Sequence, residues 1–539
     1  MTYLFIFRRD FRVFDNVALQ AMLRDVQKQK TKNEQKVMFL FVYNRNQICP
    51  DRNPYFSNNA MQFLVESLRD LEEQIHELID RKTFTKIIVD DLDEEVRFIE
   101  EILAQEKEKE NKLNVFFNRD LTPFARERDD RLLQLGKETE GLSVHSFEDY
   151  TLFPVFNEDA EAAIRRKSKE GQSYKVFSFF YKKRKELHSF IPKPEKETAV
   201  SKLIQQNGWD VVKMNAASVI EKDQDDAFYS PNRDLAVRGG RKQGLKILHA
   251  IERGEFKNYD TTRDCISVSE GTTRLSAYLK FGCLSIREVY WAIHAAHSID
   301  HALIRELYFR DFYYALGWER PDMLRRYKYK YTNHSSTREN KTKEKKHRNA
   351  AFLNDLDDKL WTVWKDDPEG VARWKDGRTG APFVDAAMRQ LNSEGFMHNR
   401  GRMVVAMYLT KYMLVDWRVG EQYFATRLVD YDPIQNSAGW QWSASIGTDA
   451  APYFRIMSPF AQSKKYDPDA IYMKRWIPEL EGVSANALHK WDQKEVREKI
   501  YKSDASIPET YRNPHVQDHS AASKKAVEVF RSKFKKRET

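Results

Sequence analysis

VMFLFVY, residues 37–43, is one of four short apolar runs that decide the fold of the N-terminal part of this chain. The other three are YLFIF at 3–7, KIIV at 86–89 and LNVFF at 113–117. Each run has the length of a β-strand and is rich in β-branched or aromatic residues. The stretches between the runs are longer, and residues 61–75 carry apolar side chains at helical spacing. This alternation predicts a doubly wound parallel sheet covered by helices on both faces.

The composition changes twice along the chain and divides it into three parts. Residues 1–150 hold the predicted strands and form the expected α/β domain. Residues 151–232 are rich in charged and polar side chains, including EKDQDD at 221–226, and indicate an extended connector. Over residues 233–539 helical periodicity replaces strand-like alternation, which predicts a second, larger, all-α domain.

The overall composition is typical of a folded globular protein. Of 539 residues, 41% are hydrophobic and 13% aromatic, with 20 Gly and 17 Pro, which excludes a fibrous or low-complexity chain. The net charge of +9 is compatible with a polyanionic partner. Cys49, Cys265 and Cys283 are too far apart in sequence for a CxxC metal site or a disulfide framework. No apolar run approaches the roughly 20 residues of a membrane span, so we expect a soluble, intracellular protein without a secretory signal.

Two common nucleotide-binding motifs are missing from the sequence. No GxGxxG follows the first predicted strand and no GxxxxGK[ST] occurs, which disfavours a Rossmann dinucleotide site and a P-loop. A weaker anion-binding signal is EGTTRLS at 270–276, where hydroxyls and backbone N–H groups stand at the predicted start of a helix. The plain alternative is an ordinary helix cap.

Eleven Trp is an unusual number, and most of them fall in the predicted helical domain. A dense group comprises Trp361, Trp364, Trp374, Trp417, Trp440 and Trp442. Aromatic residues at this density are usually core packing. The triplet Trp440-Gln441-Trp442 does not follow the three- or four-residue spacing of a helix core, so a collective role is the second interpretation.

The densest polar cluster of the chain surrounds this triplet. Its members are Asp430, Asp432, Asn436, Ser437, Ser443, Ser445, Thr448 and Asp449. Upstream, MHNRGRM at 397–403 places Arg and Asn next to an apolar stretch. Since a buried Arg needs a carboxylate partner, we predict an ion pair between Arg402 and Asp430. Such a pair belongs either to a ligand site or to a simple junction of two helices.

The positive charge is concentrated in residues 325–348. This basic run holds ten Lys or Arg against two Glu, with three Tyr interleaved. That composition is typical of a surface that contacts a phosphate backbone, and the alternative is a solvated loop.

Four longer segments resemble the DNA photolyase and cryptochrome family. They are FRRDFRVFDNVAL at 7–19, TGAPFVDAAMRQLNSEGFMHNRGRM at 379–403, DWRVGEQYF at 416–424 and GWQWSASIGTDAAPYFRIMSP at 439–459. The resemblance runs nearly end to end and is greatest to class I cyclobutane pyrimidine dimer photolyases. It implies an N-terminal antenna domain, a connector and an α-helical domain that binds FAD in a U-shaped conformation.

The resemblance also implies which residues bind the cofactor. The phosphates and ribityl chain of FAD would be held by Tyr259, Thr272, Thr273, Arg274, Leu275 and Ser276. The flavin and adenosine would be surrounded by Asn399, Arg402, Asp430, Tyr431 and Asp432. Asn436 matches the position that faces flavin N5, where a neutral amide adds no negative charge and favours the reduced, anionic flavin that repair requires.

By the same resemblance, Trp440, Trp417 and Trp364 form a chain that carries an electron from the surface to the flavin. Trp442 would stack on a flipped pyrimidine dimer in DNA. The substrate pocket and its DNA-contacting edge would include Glu306, Phe309, Asn399, Arg400, Met403, Arg455, Arg263 and Gln462. Glu306 would hydrogen-bond the pyrimidine carbonyl edge and stabilise the dimer radical anion.

The chain departs from the family pattern at three aromatic positions. Phe309 replaces the Trp of the ELxWRxFY motif, Phe396 replaces a Trp before MHNR, and Leu303 stands where some relatives have an aromatic residue. None of these changes removes a charge or a hydrogen bond from the expected chemistry. Phe309 keeps an aromatic face. The expected effect of replacing the larger Trp is a lower affinity for the dimer.

We therefore expect a monomeric, metal-free, light-driven lyase that repairs cyclobutane pyrimidine dimers in DNA with reduced FAD. A cryptochrome-like blue-light receptor is the main alternative, and a (6-4) photoproduct photolyase is the second. Residues 118–123 and 126–129 resemble the N-terminal pattern of the family. They leave the antenna open, with folate, deazaflavin, a second flavin or no chromophore as the alternatives.

Overall fold

The computed structural model describes residues 1–28, 35–79, 84–155, 174–197, 201, 210–211, 219–220, 224–324 and 363–534. The basic run 325–348 and Trp361 lie outside the described residues. The same holds for residues 221–223, the first half of the acidic run EKDQDD. No helix in the described part of the chain is long and apolar enough to cross a membrane.

The N-terminal region is built on a mainly parallel sheet, as the sequence predicts. Its strands are β1 (Thr2–Phe7), β2 (Lys36–Asn44), β3 (Phe84–Val89), β4 (Leu113–Asn118), β5 (Leu142–Phe147), β6 (Asp210–Val211) and β7 (Val219–Ile220). The order along the main path is β5-β4-β1-β2-β3-β7, and β6 pairs with β2. Among the described strands, only the short β7 is antiparallel to its neighbour, β3. The chain thus winds in both directions from the central β1.

Alternate side chains of the central strand enter two separate cores. Tyr3, Phe5 and Phe7 face one core, whereas Leu4 and Ile6 face the other. All five side chains are fully buried, since helices cover both faces of the sheet. This explains why the strands are nearly continuous apolar runs and do not alternate with polar residues.

Two parts of this sheet are not anticipated by the sequence analysis. The strand β5, LSVHSF, lies at an edge and is mostly half-buried, so its apolar residues are separated by Ser and His. The predicted connector contributes β6 and β7 to the same sheet. It also contains the helix Phe177–Glu186, whose Phe177 and Phe180 are buried. The connector is therefore partly regular structure.

Helices form most of the remaining described chain. The α-helices are Val17–Lys28, Arg45–Ile48, Asn58–Ile79, Leu92–Lys107, Pro123–Glu138, Phe177–Glu186, Arg241–Glu252, Tyr259–Thr262, Ser276–Lys280, Ile286–Ala296, Ala302–Glu319, Pro368–Lys375, Pro382–Glu394, Asn399–Met407, Trp417–Arg427, Pro433–Ser443, Pro459–Tyr466, Ile471–Trp476, Ala485–Leu488, Lys494–Ser503, Glu509–Arg512 and His519–Phe534. A π-helical turn spans Tyr408–Tyr412. Short 3-10 turns span His188–Phe190, Gln224–Phe228, Ser269–Gly271, Pro321–Leu324 and Pro478–Leu480.

Packing divides the chain into two compact units. The first comprises Met1–Tyr259, Thr273–Pro321 and Val429–Asp432, and the second comprises Asp260–Thr272, Asp322–Leu428 and Pro433–Thr539. The first unit joins the sheet to the helices up to Glu319 through one hydrophobic core. These units are defined by packing, and the division into parts 1–150, 151–232 and 233–539 stays a prediction.

The second unit is a helical assembly. Its helix Pro382–Glu394 packs against Ile471–Trp476 and Asn399–Met407. A second pair is formed by Trp417–Arg427 and Pro433–Ser443. These two packed groups carry most of the sequence segments 379–403 and 416–424, together with the first residues, 439–443, of the segment 439–459.

Candidate functional site

Asn436 is held in a defined orientation by a buried carboxylate. It lies on the helix Pro433–Ser443, and its side-chain amide donates to Glu421 Oε1 at 2.9 Å and to the Glu421 carbonyl at 3.0 Å. Both donors therefore point at Glu421, and the amide oxygen points away from it. We did not identify Glu421 from the sequence. A glutamate among the buried residues of a helix is unusual, and this could have singled it out.

Trp440 is a core residue at the far end of the same helix. It is 3% exposed and makes edge-on ring contacts with Phe424 at 5.0 Å and Trp374 at 6.0 Å between ring centroids. Gly420 makes room for it, since a Cβ there would lie 2.0 Å from the Trp440 ring. A glycine on the neighbouring helix is thus required by the position of the indole.

Replacing Gly420 with Ala tests this packing. We expect a loss of about 1–3 kcal/mol in the free energy of unfolding, since the buried ring cannot move freely. In a Trp440→Phe background the clashing atoms are absent, and Gly420→Ala should be neutral or favourable because Ala favours a helix over Gly by about 1 kcal/mol. Urea unfolding of the four proteins measures the cycle. An equal cost in both backgrounds would contradict the contact.

The other two tryptophans of the predicted chain differ in exposure. Trp417 is 2% exposed and begins the helix Trp417–Arg427, which Asp416 caps by accepting from the Arg418 N–H. Trp364 is half-buried and contacts Phe530, with ring centroids 6.1 Å apart. Two buried rings and one partly exposed ring are what an inward electron path needs, and the roles of these residues stay predictions.

The MHNR segment forms the start of the helix Asn399–Met407. His398 caps it, and its Nδ1 accepts from the Arg400 N–H at 3.1 Å. Burial lowers the pKa of His398 to about 4, so the ring is neutral at physiological pH. Arg402 donates through Nε to the Met397 carbonyl at 2.8 Å. Asn399 at the helix start is exposed.

Arg400 has a partner that the sequence analysis did not identify. Its guanidinium forms an ion pair with Asp264 at 2.6 Å and lies over the Tyr466 ring at 4.2 Å. The predicted pair of Arg402 with Asp430 falls on residues of different units and stays a prediction.

Residues 272–276 form an irregular turn and the start of a short helix. Arg274 has a φ of 51°, a left-handed backbone, and its Nη1 donates to the Ala236 carbonyl at 3.4 Å. Leu275 precedes the helix Ser276–Lys280 and supplies no side-chain cap. Within the described residues, the hydroxyls of Thr272, Thr273 and Ser276 have no hydrogen-bond partner. These are the donors that oxygens of a phosphate or sugar chain would use.

Asp432 lies in a buried ionic cluster of the first unit. Its Oδ2 accepts from Arg9 Nη1 at 2.9 Å and from the Tyr314 hydroxyl at 2.7 Å. Neighbouring Tyr431 stacks on Tyr55 at 6.4 Å between ring centroids, while Asp430 is buried. Arg9 and Tyr314 were not identified from the sequence, because Arg9 lies 423 positions from Asp432.

The remaining predicted residues are placed as follows. In the first unit, Tyr259 lies 6.5 Å from His301 between ring centroids, and Glu306 is half-buried on the helix Ala302–Glu319. Phe309 on that helix stacks on Phe177 at 3.3 Å, so at least one of its faces is taken by the protein itself. In the second unit, Arg263, Met403, Trp442 and Gln462 are half-buried and Arg455 is exposed.

Asn118, Asp120 and Arg126, which belong to the segments that resemble the family's N-terminal pattern, make polar contacts within the first unit. The Asn118 amide donates to Asp10 and Asn16, and Asp120 pairs with Arg9 at 2.9 Å. Arg126 donates to the Trp318 carbonyl at 3.0 Å. These polar contacts hold the three side chains in place and do not identify an antenna.

Two family models match the chain, one in its N-terminal part and one in its C-terminal part. Residues 3–199 match DNA photolyase, and residues 303–532 match the FAD binding domain of DNA photolyase. The deoxyribodipyrimidine photo-lyase of Alkalihalophilus pseudofirmus is 31% identical over 97% of this chain and 97% of its own length. The chain therefore belongs to the DNA photolyase family, as the resemblance in the sequence predicted.

Two solved structures share the fold. An archaeal photolyase from Sulfolobus tokodaii, crystallised with two FAD molecules, has a TM-score of 0.69 and 29% identity, over 99% of this chain and 100% of that chain. A cryptochrome from Synechocystis has a TM-score of 0.72 over 98% of both chains. Its identity of 23% shows the fold alone.

The side chains present fit a bound FAD. The unpartnered hydroxyls at 272–276 suit its polar chain, and the neutral Asn436 amide keeps an oxygen available opposite Glu421. Buried Asp432 has its carboxylate satisfied by Arg9 and Tyr314, so it adds no unpaired negative charge to its surroundings. Within each unit, these polar groups therefore suit a polar cofactor.

Proposed function

We propose that the protein repairs cyclobutane pyrimidine dimers in DNA, using light and reduced FAD. The observation that carries this proposal is the match to the photolyase family over nearly the whole chain, at 31% identity to a named photo-lyase. Reduced, anionic FAD bound by the protein would supply, under blue or near-UV light, the electron needed to split the two bonds joining the pyrimidines, and would recover that electron afterwards. The reaction has no net redox change.

The chain's own residues would hold the cofactor and the lesion. The residues proposed for FAD are Tyr259, Thr272, Thr273, Arg274, Leu275, Ser276, Asn399, Arg402, Asp430, Tyr431, Asp432 and Asn436. Asn436 would present its amide oxygen to the flavin because Glu421 takes both amide protons. This arrangement would keep a negative charge away from the ring and support its reduced anion.

The tryptophans would prepare the cofactor for repair. Trp364 lies partly exposed, whereas Trp417 and Trp440 are buried, so an electron would pass inward from ring to ring. Burial excludes water from the inner rings. This step is separate from repair itself, which requires only that the cofactor is already reduced.

The lesion would be bound by flipping it out of the duplex. Trp442 would stack on the dimer, and Glu306 in its protonated form would donate a hydrogen bond to a pyrimidine carbonyl. A dimer costs less to flip than a normal base pair because it is already poorly stacked. Arg400 and Arg455 would complete the pocket, and Arg263 and Gln462 would lie nearer the DNA strand. Contacts to the DNA backbone should make binding weaken as salt rises.

Binding to damaged DNA tests the substrate class without light. We expect the protein in the dark to bind a duplex with one thymine dimer more tightly than the same undamaged duplex, measured by fluorescence anisotropy. Added salt should weaken both complexes, because backbone contacts release counterions. Trp442→Ala should remove the preference and leave undamaged binding unchanged. Equal affinities of the wild type for both duplexes would contradict the proposed substrate.

A further inference from the structure

Lys411 is a fully buried lysine that takes no part in the proposed cofactor site or in the proposed DNA contacts. It lies on the π-helical turn Tyr408–Tyr412, and turns of this kind are frequent at functional sites. Lysine is almost never fully buried in a folded protein unless it is paired, and no carboxylate among the described residues contacts this one. The groups that do contact Lys411 therefore indicate what it does.

Three acceptors surround the amine of Lys411. Its Nζ donates to Ser445 Oγ at 3.0 Å and to the Ala444 carbonyl at 3.5 Å, both just beyond the helix Pro433–Ser443. It also lies 3.4 Å from the centre of the Phe530 ring, whose face attracts a cation. The amine thus has one acceptor for each of its three N–H groups, and two of these acceptors belong to the end of one helix.

Ser445 occupies the position at which this helix ends. Its φ is 64°, a left-handed backbone that glycine usually supplies at a helix end. The Ser445 N–H donates to the Trp442 carbonyl at 3.1 Å. The Ile446 N–H donates to the Gln441 carbonyl, also at 3.1 Å, and the two bonds together form a Schellman motif. Because serine adopts this backbone less readily than glycine, the bond from Lys411 to its hydroxyl stabilises the motif.

The same motif holds the backbone of Trp442. The Trp442 carbonyl accepts a second bond, from the Ala451 N–H at 3.2 Å, so the chain beyond the helix folds back onto this residue. The Trp442 side chain is half-buried. Lys411 is connected to Trp442 through Ser445 alone, by one bond to the hydroxyl and one bond from the N–H.

We propose that Lys411 is a positioning residue for lesion binding, which holds the end of the helix so that Trp442 is ready to stack on the dimer. This rests on the proposed function, in which Trp442 stacks on a flipped dimer. Without Lys411 the left-handed Ser445 loses its support, and the last turn takes up several positions. A ring that is no longer held in advance binds the dimer less tightly, whereas contacts to the backbone of any DNA remain.

The test measures the preference for a thymine-dimer duplex over the same undamaged duplex, by fluorescence anisotropy in the dark. Lys411→Met should lower this preference about fivefold or more, the least that one aromatic ring contributes to a stacked base. In a Trp442→Ala background the same substitution should lower it no further, because the ring that Lys411 positions is absent. Affinity for undamaged DNA should stay unchanged. Lys525→Met, at an exposed position of the same unit, is the matched control and should keep the full preference.

Glycine at the end of the helix should make Lys411 dispensable. In the double variant Lys411→Met with Ser445→Gly, glycine adopts the left-handed backbone readily and leaves no hydroxyl unpaired, so the preference should return. Ser445→Ala removes the hydroxyl and keeps the unfavourable backbone, so it should lower the preference as well. This variant tests the same contact if Lys411→Met does not fold.

The outcomes separate this inference from the proposed function. A full preference in Lys411→Met or Ser445→Ala, beside a lost preference in Trp442→Ala, would overturn the role of Lys411 alone. So would a lowered preference in Lys411→Met that Ser445→Gly does not restore, because the lysine would then act elsewhere in the fold. A wild type without any preference, or one whose preference survives Trp442→Ala, would refute the proposed stacking and the inference with it.

Discussion

Trp440→Phe should reduce the light-driven reduction of bound, oxidised FAD to less than about a tenth of the wild-type rate, a change of about 1.4 kcal/mol or more in barrier. Trp440 is the buried ring that the proposed path places next to the flavin, and Phe is much harder to oxidise than Trp. The measurement is the bleaching of the flavin absorption band under blue light with an external electron donor. Repair by chemically reduced enzyme should be preserved.

Trp374→Phe is the matched control for this variant. Trp374 is also fully buried, and its ring contacts Trp440 at 6.0 Å, but it is not part of the proposed path. We expect its photoreduction rate to stay near that of the wild type. If Trp374→Phe is as slow as Trp440→Phe, or if Trp440→Phe is as fast as the wild type, the electron takes another route.

Glu306→Ala should slow repair of a thymine dimer by about a hundredfold, the usual cost of removing one group that stabilises developing negative charge in a dry site. Glu306 is half-buried on the helix Ala302–Glu319 and would hydrogen-bond the pyrimidine carbonyls. FAD content and flavin absorption should be unchanged. The measurement is single-turnover repair by pre-reduced enzyme under blue light.

Glu306→Gln separates hydrogen bonding from mere bulk. The Gln amide keeps the size of the side chain, and its N–H donates to a pyrimidine carbonyl as a protonated carboxyl would, so repair should recover most of the activity lost in the Ala variant. Arg305→Ala changes the exposed neighbour and should have little effect. Unchanged turnover of Glu306→Ala would show that this carboxyl does not act on the lesion.

Much of the fold could be predicted because its information is local. The central strands are continuous apolar runs, and residues 61–75 show the helical spacing found in Asn58–Ile79. The edge strand β5 was missed because one half-exposed face breaks up its apolar run. The short strand β7 depends on pairing with β3, and two residues give no periodicity to detect.

The candidate site is less local. The family motifs placed Asn436 and Trp440, but not Glu421, which fixes the Asn436 amide, or Gly420, which admits the Trp440 ring. Similarly, Arg9 and Asp432 are joined across most of the chain. Contacts between residues so far apart carry no spacing signal, and the orientation of a side chain needs the folded structure.

The most direct test of the account is repair of a thymine-dimer oligonucleotide by the purified, reduced protein under blue light. A dark sample and a (6-4) photoproduct oligonucleotide are run alongside it. We expect light-dependent conversion of the thymine dimer back to two thymines, with no repair in the dark and none of the (6-4) lesion. No repair of either lesion by protein that holds reduced FAD would contradict it and favour a blue-light receptor, whereas repair of the (6-4) lesion alone would assign a different substrate.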